Sequence, residues 1–166
     1  MAQIEVRTAE PADYDAIGRL SVAAYEADGQ LAGEHGYEKV LADVATRAAE
    51  GVVLVAVEET AVLGAVLFVL PGSRYAELCG PDEAEFRMLA VDPAAQGRGA
   101  GELLVRACLN RAAEAGARGL RISVRDFAAP AQRLYARLGF TRTPDRDWSP
   151  MPGVNLLALH HDLSAW

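Results

Sequence analysis

The chain has 166 residues and a mass of 17.7 kDa. A chain of that size buries roughly 18,000 Å² of the roughly 26,000 Å² exposed when unfolded, which suits one domain over 1–166 and is tight for two. Hydrophobic residues at 51% and charged residues at 23% exclude a disordered segment and a disulfide scaffold, and a net charge of -7 has the wrong sign for binding nucleic acid or an anionic membrane through the overall field.

Residues 4–8 read as a short strand, and Glu10-Pro11 followed by Asp13 marks a helix start with Pro in its first turn. Charges at Glu5, Arg7 and Glu10 interrupt the apolar run a signal peptide needs. The helix runs to about Tyr25 with Ile17, Leu20 and Ala24 partly following the 3.6 period, and a polar, Gly-containing stretch over 26–36 separates it from a second helix over 37–49. Residues 52–57 and 61–70 are near-continuous aliphatic runs, expected as a hairpin covered on both faces. Glu58-Glu59-Thr60 between them denies this region the ~20 apolar residues of a membrane span.

Residues 84–91 form the next strand, stopped by Asp92-Pro93. A helix over 99–115 places Leu103, Leu104, Ala107, Cys108 and Ala112 on one face, and Gly116 stands at its C-cap. A strand over 120–124, a short helix opened by Pro130 and capped by Gly139, an extended segment from Phe140 and a last strand over 154–159 complete the order. The fold class expected is α/β: a mixed, mostly antiparallel central sheet with helices on both faces. The helical crossover between strands 84–91 and 120–124 makes that pair parallel.

Gln96-Gly97-Arg98-Gly99-Ala100-Gly101 lies between a strand and a helix, and its glycines let backbone N–H groups approach a ligand closely. No Ser, Thr, Asp or Asn over 96–102 caps the helix, so its first amides suit a phosphate, with Arg98 as an added cation. A Walker A loop would need Gly-Lys-Ser/Thr, and a Rossmann fingerprint fails because Glu102 stands where its third glycine belongs. A tight turn with a solvated helix end is the plain structural alternative.

With its neighbours, this segment resembles the GNAT superfamily of acyl-CoA N-acyltransferases, whose signature here is Gln/Arg-x-x-Gly-x-Gly/Ala, matched by Gln96, Gly99 and Gly101. The strand EFRMLAVDP before it and the stretch PAQRLYARLGF after it keep the family's order, so the likeness covers 84–140. The resemblance implies a central parallel pair splayed at a bulge and acetyl-CoA as acyl donor, with no metal. The backbone of Leu89, Ala90 and Val91 would pair with the pantetheine arm and polarise the thioester, and the amides over Gln96, Gly97, Arg98, Gly99, Ala100 and Gly101 would hold the pyrophosphate.

Glu85, eleven positions before Gln96, is the general base the resemblance implies, with Glu83 as neighbouring alternative. Outside that likeness Glu85 reads as a solvated strand residue near Arg87. Tyr135 matches the general acid that protonates the departing thiolate; alone it reads as a packed aromatic. Ala128 stands where many members carry a cofactor-binding Asn, seven residues before the Tyr, and Asp126 or a backbone group would have to substitute.

The acceptor is expected to be a small-molecule or peptide amine, met by Tyr25, Tyr37 and Tyr75, with Glu34, His35 and Trp148 nearby. The acidic balance weakly suits a cationic molecule. His160 and His161 lack spaced partners for a metal, and Cys79 and Cys108 lack CxxC spacing, as in a reducing, cytoplasmic compartment. The activity expected is acetyl transfer by direct attack, without an acyl-enzyme, in a monomer or homodimer. A non-catalytic acyl-CoA sensor is the rival reading.

Overall fold

The computed structural model describes residues 3–31 and 36–164, so Glu34 and His35 lie outside the described residues. Eight strands form one sheet: β1 (Ile4–Thr8), β2 (Val52–Glu58), β3 (Ala61–Val69), β4 (Ala84–Val91), β5 (Gly119–Arg125), β6 (Thr141–Arg142), β7 (Trp148–Met151) and β8 (Val154–Asp162). Their order is β1-β2-β3-β4-β5-β8-β6, with β7 also on β8, and among the described residues only β4 and β5 run parallel. The expected mixed sheet is therefore the one observed.

Helices α1 (Tyr14–Ala27), α2 (Tyr37–Ala42) and α3 (Val44–Glu50) cover one face, while α4 (Ala100–Glu114) and α5 (Ala129–Arg137) cover the other. β2 and β3 bury side chains on both faces, which is why their sequence shows no alternation. On the α4 side Leu104, Val105, Cys108 and Ala112 are fully enclosed against Leu54, Val66 and Phe86. On the α1 side Ile17, Leu41 and Val44 meet Val55, Leu67 and Val69. Burying both faces removes the sheet's large apolar area from water, the main force holding these layers together.

Two expectations need correction. The single helix over 37–49 is two helices, because Asp43 leaves helical geometry (φ -88°, ψ 74°) and turns its carboxylate to accept from the Thr46 amide at 3.2 Å. That bond caps α3 at the cost of continuity with α2. The extended segment from Phe140 is two short strands, β6 and β7, separated by a turn: Trp-Ser-Pro-Met of β7 carries a Pro and no alternation, and the strand is held from outside, by pairing with β8 and by the Trp148 Nε1 bond to Ser123 Oγ at 3.2 Å.

Two irregularities of β4 create the site. It pairs with β5 only at Ala84↔Leu120 and Glu85↔Arg121, after which the two strands separate. Opposite β3 the register slips between Leu67↔Arg87 and Ala65↔Ala90, leaving one extra residue on β4, and Met88 takes the left-handed φ of 57° that a non-glycine side chain rarely adopts. The bulge turns the strand away from β5, so its backbone from Phe86 onward loses its partner on that side.

Gly64 faces this bend. A Cβ there would lie 2.8 Å from the Ala90 carbonyl oxygen and 3.2 Å from Leu104. Gly64→Ala is therefore expected to cost about 1–3 kcal/mol, because backbone must shift to admit it. Chemical denaturation would measure the loss, and wild-type stability would show that the bend yields freely.

Candidate active site

Where β4 and β5 part, a cleft of about 500 Å³ opens between them. Met88, Leu89, Ala90 and Val91 form one wall and Ser123, Val124 and Arg125 the other. Beyond Glu85 the β4 wall makes no ladder bonds to β5, so its edge is open to an extended, amide-containing ligand, with the Val91 carbonyl accepting from Gln96 Nε2 at 3.2 Å. Tyr135 and Leu134 of α5 close the cleft from one face, and Tyr25 of α1 and Tyr37 of α2 reach it from the other.

At one end lies the glycine turn. Gly97 and Gly99 take positive φ of 79° and 89°, and the first intrahelical bond of α4 runs from Leu103 N to Gly99 O at 3.1 Å. No side chain caps this end. The preceding amides thus have no helical acceptor, and the helix dipole places partial positive charge among them. An anion such as a pyrophosphate fits these donors, and Gln96, Gly97, Gly99, Ala100 and Gly101 line the cleft. Arg98 does not line it, since its guanidinium pairs with Glu58 across the β2–β3 hairpin. Glu102, in the first turn of α4, is neutralised by Arg137 at 2.5 Å and Arg106 at 3.1 Å.

Tyr135 is 5% exposed, its ring packed against Phe86 at 5.9 Å and Phe140 at 5.8 Å. Its hydroxyl has no hydrogen-bond partner among the described residues. Burial pushes this phenol well above its ordinary pKa, so it remains protonated throughout the neutral range. Ala128 also lines the cleft and offers only a methyl group, and Asp126 is turned to Asn155 at 3.4 Å instead of the cleft.

Glu85 lies outside the cleft wall. It is fully buried, and its Oε1 accepts from the amides of Glu77, Leu78 and Cys79 at 2.9, 2.8 and 3.1 Å. Burial raises this carboxyl above its ordinary value, against the three amides, which pull it down. It is thus not the solvated strand residue that composition suggests. Glu83 is tied to Arg121 at 3.0 Å and lies near His160 at 3.4 Å; burial opposes its ionisation, but the Gly80 amide and Arg121 hold it below the usual range.

The amide cradle predicts a sharp difference between two substitutions. Glu85→Ala is expected to lower stability by about 2–4 kcal/mol by leaving buried amides unsatisfied, whereas Glu85→Gln, which keeps an acceptor oxygen, costs under about 1 kcal/mol. Equal losses in urea melts would mean that the carboxylate charge, not the acceptor, holds the loop.

The loop held by Glu85 carries a residue that sequence reasoning passed over. Glu77 lines the cleft, and its Oε1 lies 3.5 Å from Nη1 of Arg87, another wall residue. Arg87 shares a β4 face with Glu85 by the period of two, the one signal that could have pointed to it. Tyr75 is buried behind this pair: its carbonyl accepts from Arg87 at 3.3 Å and its ring lies 5.9 Å from the guanidinium, but it does not line the cleft. Tyr25, Tyr37 and Trp148 do.

The model of the acetyltransferase (GNAT) family matches residues 14–140. The chain belongs to the GNAT family. Two curated relatives of this GNAT protein are each 39% identical to it over a limited stretch: a mycothiol acetyltransferase of Nocardioides over 66 residues, and a [ribosomal protein bS18]-alanine N-acetyltransferase of Haemophilus ducreyi over 72. These stretches are 40% and 43% of the chain, and they span only 22% and 50% of the relatives' own lengths. The whole fold is similar to yncA of Salmonella typhimurium, solved with its cofactor acetyl-CoA, at a TM-score of 0.69, 24% identity and coverage of 96% of this chain and 94% of that one. Among the described residues of this GNAT chain, no helix is long and apolar enough to cross a membrane and no cluster of three metal-ligating side chains occurs.

Proposed function

We propose that this GNAT protein is an acetyl-CoA-dependent N-acetyltransferase that moves an acetyl group to a primary amine by direct attack in a ternary complex. The observation that carries this reading is the continuity of one cleft from an uncapped helix N-terminus, along an unpaired strand edge, to the Tyr135 phenol. Acetyl-CoA would supply the activated acyl group as its thioester. The amides of the glycine turn would hold its pyrophosphate, and the backbone of Leu89, Ala90 and Val91 would align the pantetheine arm. An N–H on that edge would also stabilise the charge that grows on the carbonyl oxygen during attack. Two free cysteines suit a cytoplasmic enzyme.

Tyr135 donates its proton to the departing sulfur. The amine must lose a proton to attack, and of the wall carboxylates we assign that role to Glu77, which pairs with Arg87 and whose backbone is fixed by Glu85. Glu85 thereby acts as a positioning residue in this reading. Glu77→Gln is expected to lower kcat/KM by about 10²-fold and to remove the acid limb of its pH profile. Glu85→Gln, with the loop still anchored, should lower it less than about tenfold. The reverse ranking would make Glu85 the base.

Isothermal titration with acetyl-CoA followed by CoA release across a panel of primary amines tests the reading as a whole. Binding with turnover supports it, binding without turnover on any amine favours an acyl-CoA sensor, and absence of binding overturns both.

A further inference from the structure

We infer that the acceptor is an amine that carries its own anionic group of the carboxylate class, as a free amino acid does, and that Arg87 binds that anion. The inference rests on the acetyltransferase reading above and deepens it. Glu102 and Arg137 close on each other at the glycine-turn end, so among the described residues the charged groups left on the cleft wall are Asp28, Glu77, Arg87 and Arg125. Two carboxylates face two guanidiniums there, in a chain whose overall charge is -7. A cleft built for a polycation would share or exceed the acidic bias of the chain. Among its described residues this one is balanced, which complements a zwitterion.

Arg87 is prepared for an anion. Its Nη1 donates to the Tyr75 carbonyl at 3.3 Å, its Nη2 donates to the Tyr37 hydroxyl at 3.4 Å, and its Cζ lies 5.9 Å from the Tyr75 ring centroid, so the fork is held from behind. Its ion pair with Glu77 is loose at 3.5 Å, beyond the 2.7–2.9 Å of a strong charge-assisted bond. A molecule bearing an ammonium and a carboxylate a few bonds apart replaces that loose contact with two tighter ones, amine to Glu77 and anion to Arg87. Across the cleft, Arg125 has a buried Nε without a hydrogen-bond partner, a second cation whose donors are incompletely used.

The test compares matched acceptors that share an amine and differ in the anion: free amino acids against their carboxamides, with wild type and Arg87→Met. Wild type is expected to favour the free acid by about tenfold or more in kcat/KM, and Arg87→Met to bring the ratio near one. Calorimetric titration of N-acetyl amino acids and their amides into the CoA-saturated protein supplies a readout independent of turnover, with the same ranking expected. Equal or reversed preference in wild type overturns the anionic class while leaving the acetyltransferase reading intact. No CoA release from either member of any pair, with neither product bound, overturns both.

Discussion

Replacing Tyr135 by Phe is expected to lower kcat by about 10²–10⁴-fold while leaving the KM for acetyl-CoA within about threefold of wild type. The ring is fixed by Phe86 and Phe140 on two sides, so the variant keeps its packing and loses only the hydroxyl. That hydroxyl satisfies no group among the described residues, and thermal melting should accordingly change by no more than a few degrees. Burial raises the phenol's pKa, so the hydroxyl stays protonated across the neutral range. In the proposed reaction negative charge would collect on sulfur as the carbon–sulfur bond breaks, and a donor already in place would stabilise it without reorganisation. Steady-state kinetics at saturating amine would test this. An unchanged kcat would reduce Tyr135 to the packed aromatic that its helix face alone suggests, and a loss confined to KM would make it a binding residue.

How far the sequence carries the argument depends on what each segment's structure rests upon. The doubly covered hairpin, the helix after the glycine turn and the parallel crossover were legible because local pattern and tertiary environment agree there. The uncapped start of α4 was legible for the same reason, as an absence of Ser, Thr, Asp or Asn in seven residues. The Asp43 break was not, since the apolar spacing continues across it and the choice lies with a single side-chain bond to Thr46. β7 has no pattern of its own and exists because β8 offers it an edge.

The position of Glu85 shows a sharper limit. Period two correctly assigns it to the face of Arg87, but its environment is set by amides 6–8 residues earlier in the chain, on a loop whose sequence carries no motif. The same contact brings Glu77 to the cleft, so the pair Glu77–Arg87 emerges only in three dimensions. Arg98 shows the reverse case: an arginine within a phosphate-type turn pairs its charge with Glu58, forty residues away in sequence, while the helix start behind the turn has no side-chain cap.

That backbone is where the second large effect is expected. Gly99→Asp should weaken acetyl-CoA binding by about 30- to 1000-fold, since a carboxylate roughly 4–8 Å from a pyrophosphate costs about 2–4 kcal/mol at an effective dielectric near 20. A Cβ on Gly99 meets nothing within 4 Å, so no neighbour has to move and the conformational penalty is confined to φ of 89°. Asp tolerates that region better than most residues, at about 1 kcal/mol. The new carboxylate also lies beside the same uncapped amides that would receive the phosphates, and competes for them as a side-chain cap would. Gly99→Asn has the same size and the same φ cost without the charge, and should lose less than about tenfold. Titration calorimetry on the two variants separates the causes: a deep loss in Asp and a shallow one in Asn locates the anion at this turn. Equal losses would make the turn a steric feature, and wild-type affinity in both would move the pyrophosphate elsewhere in the cleft.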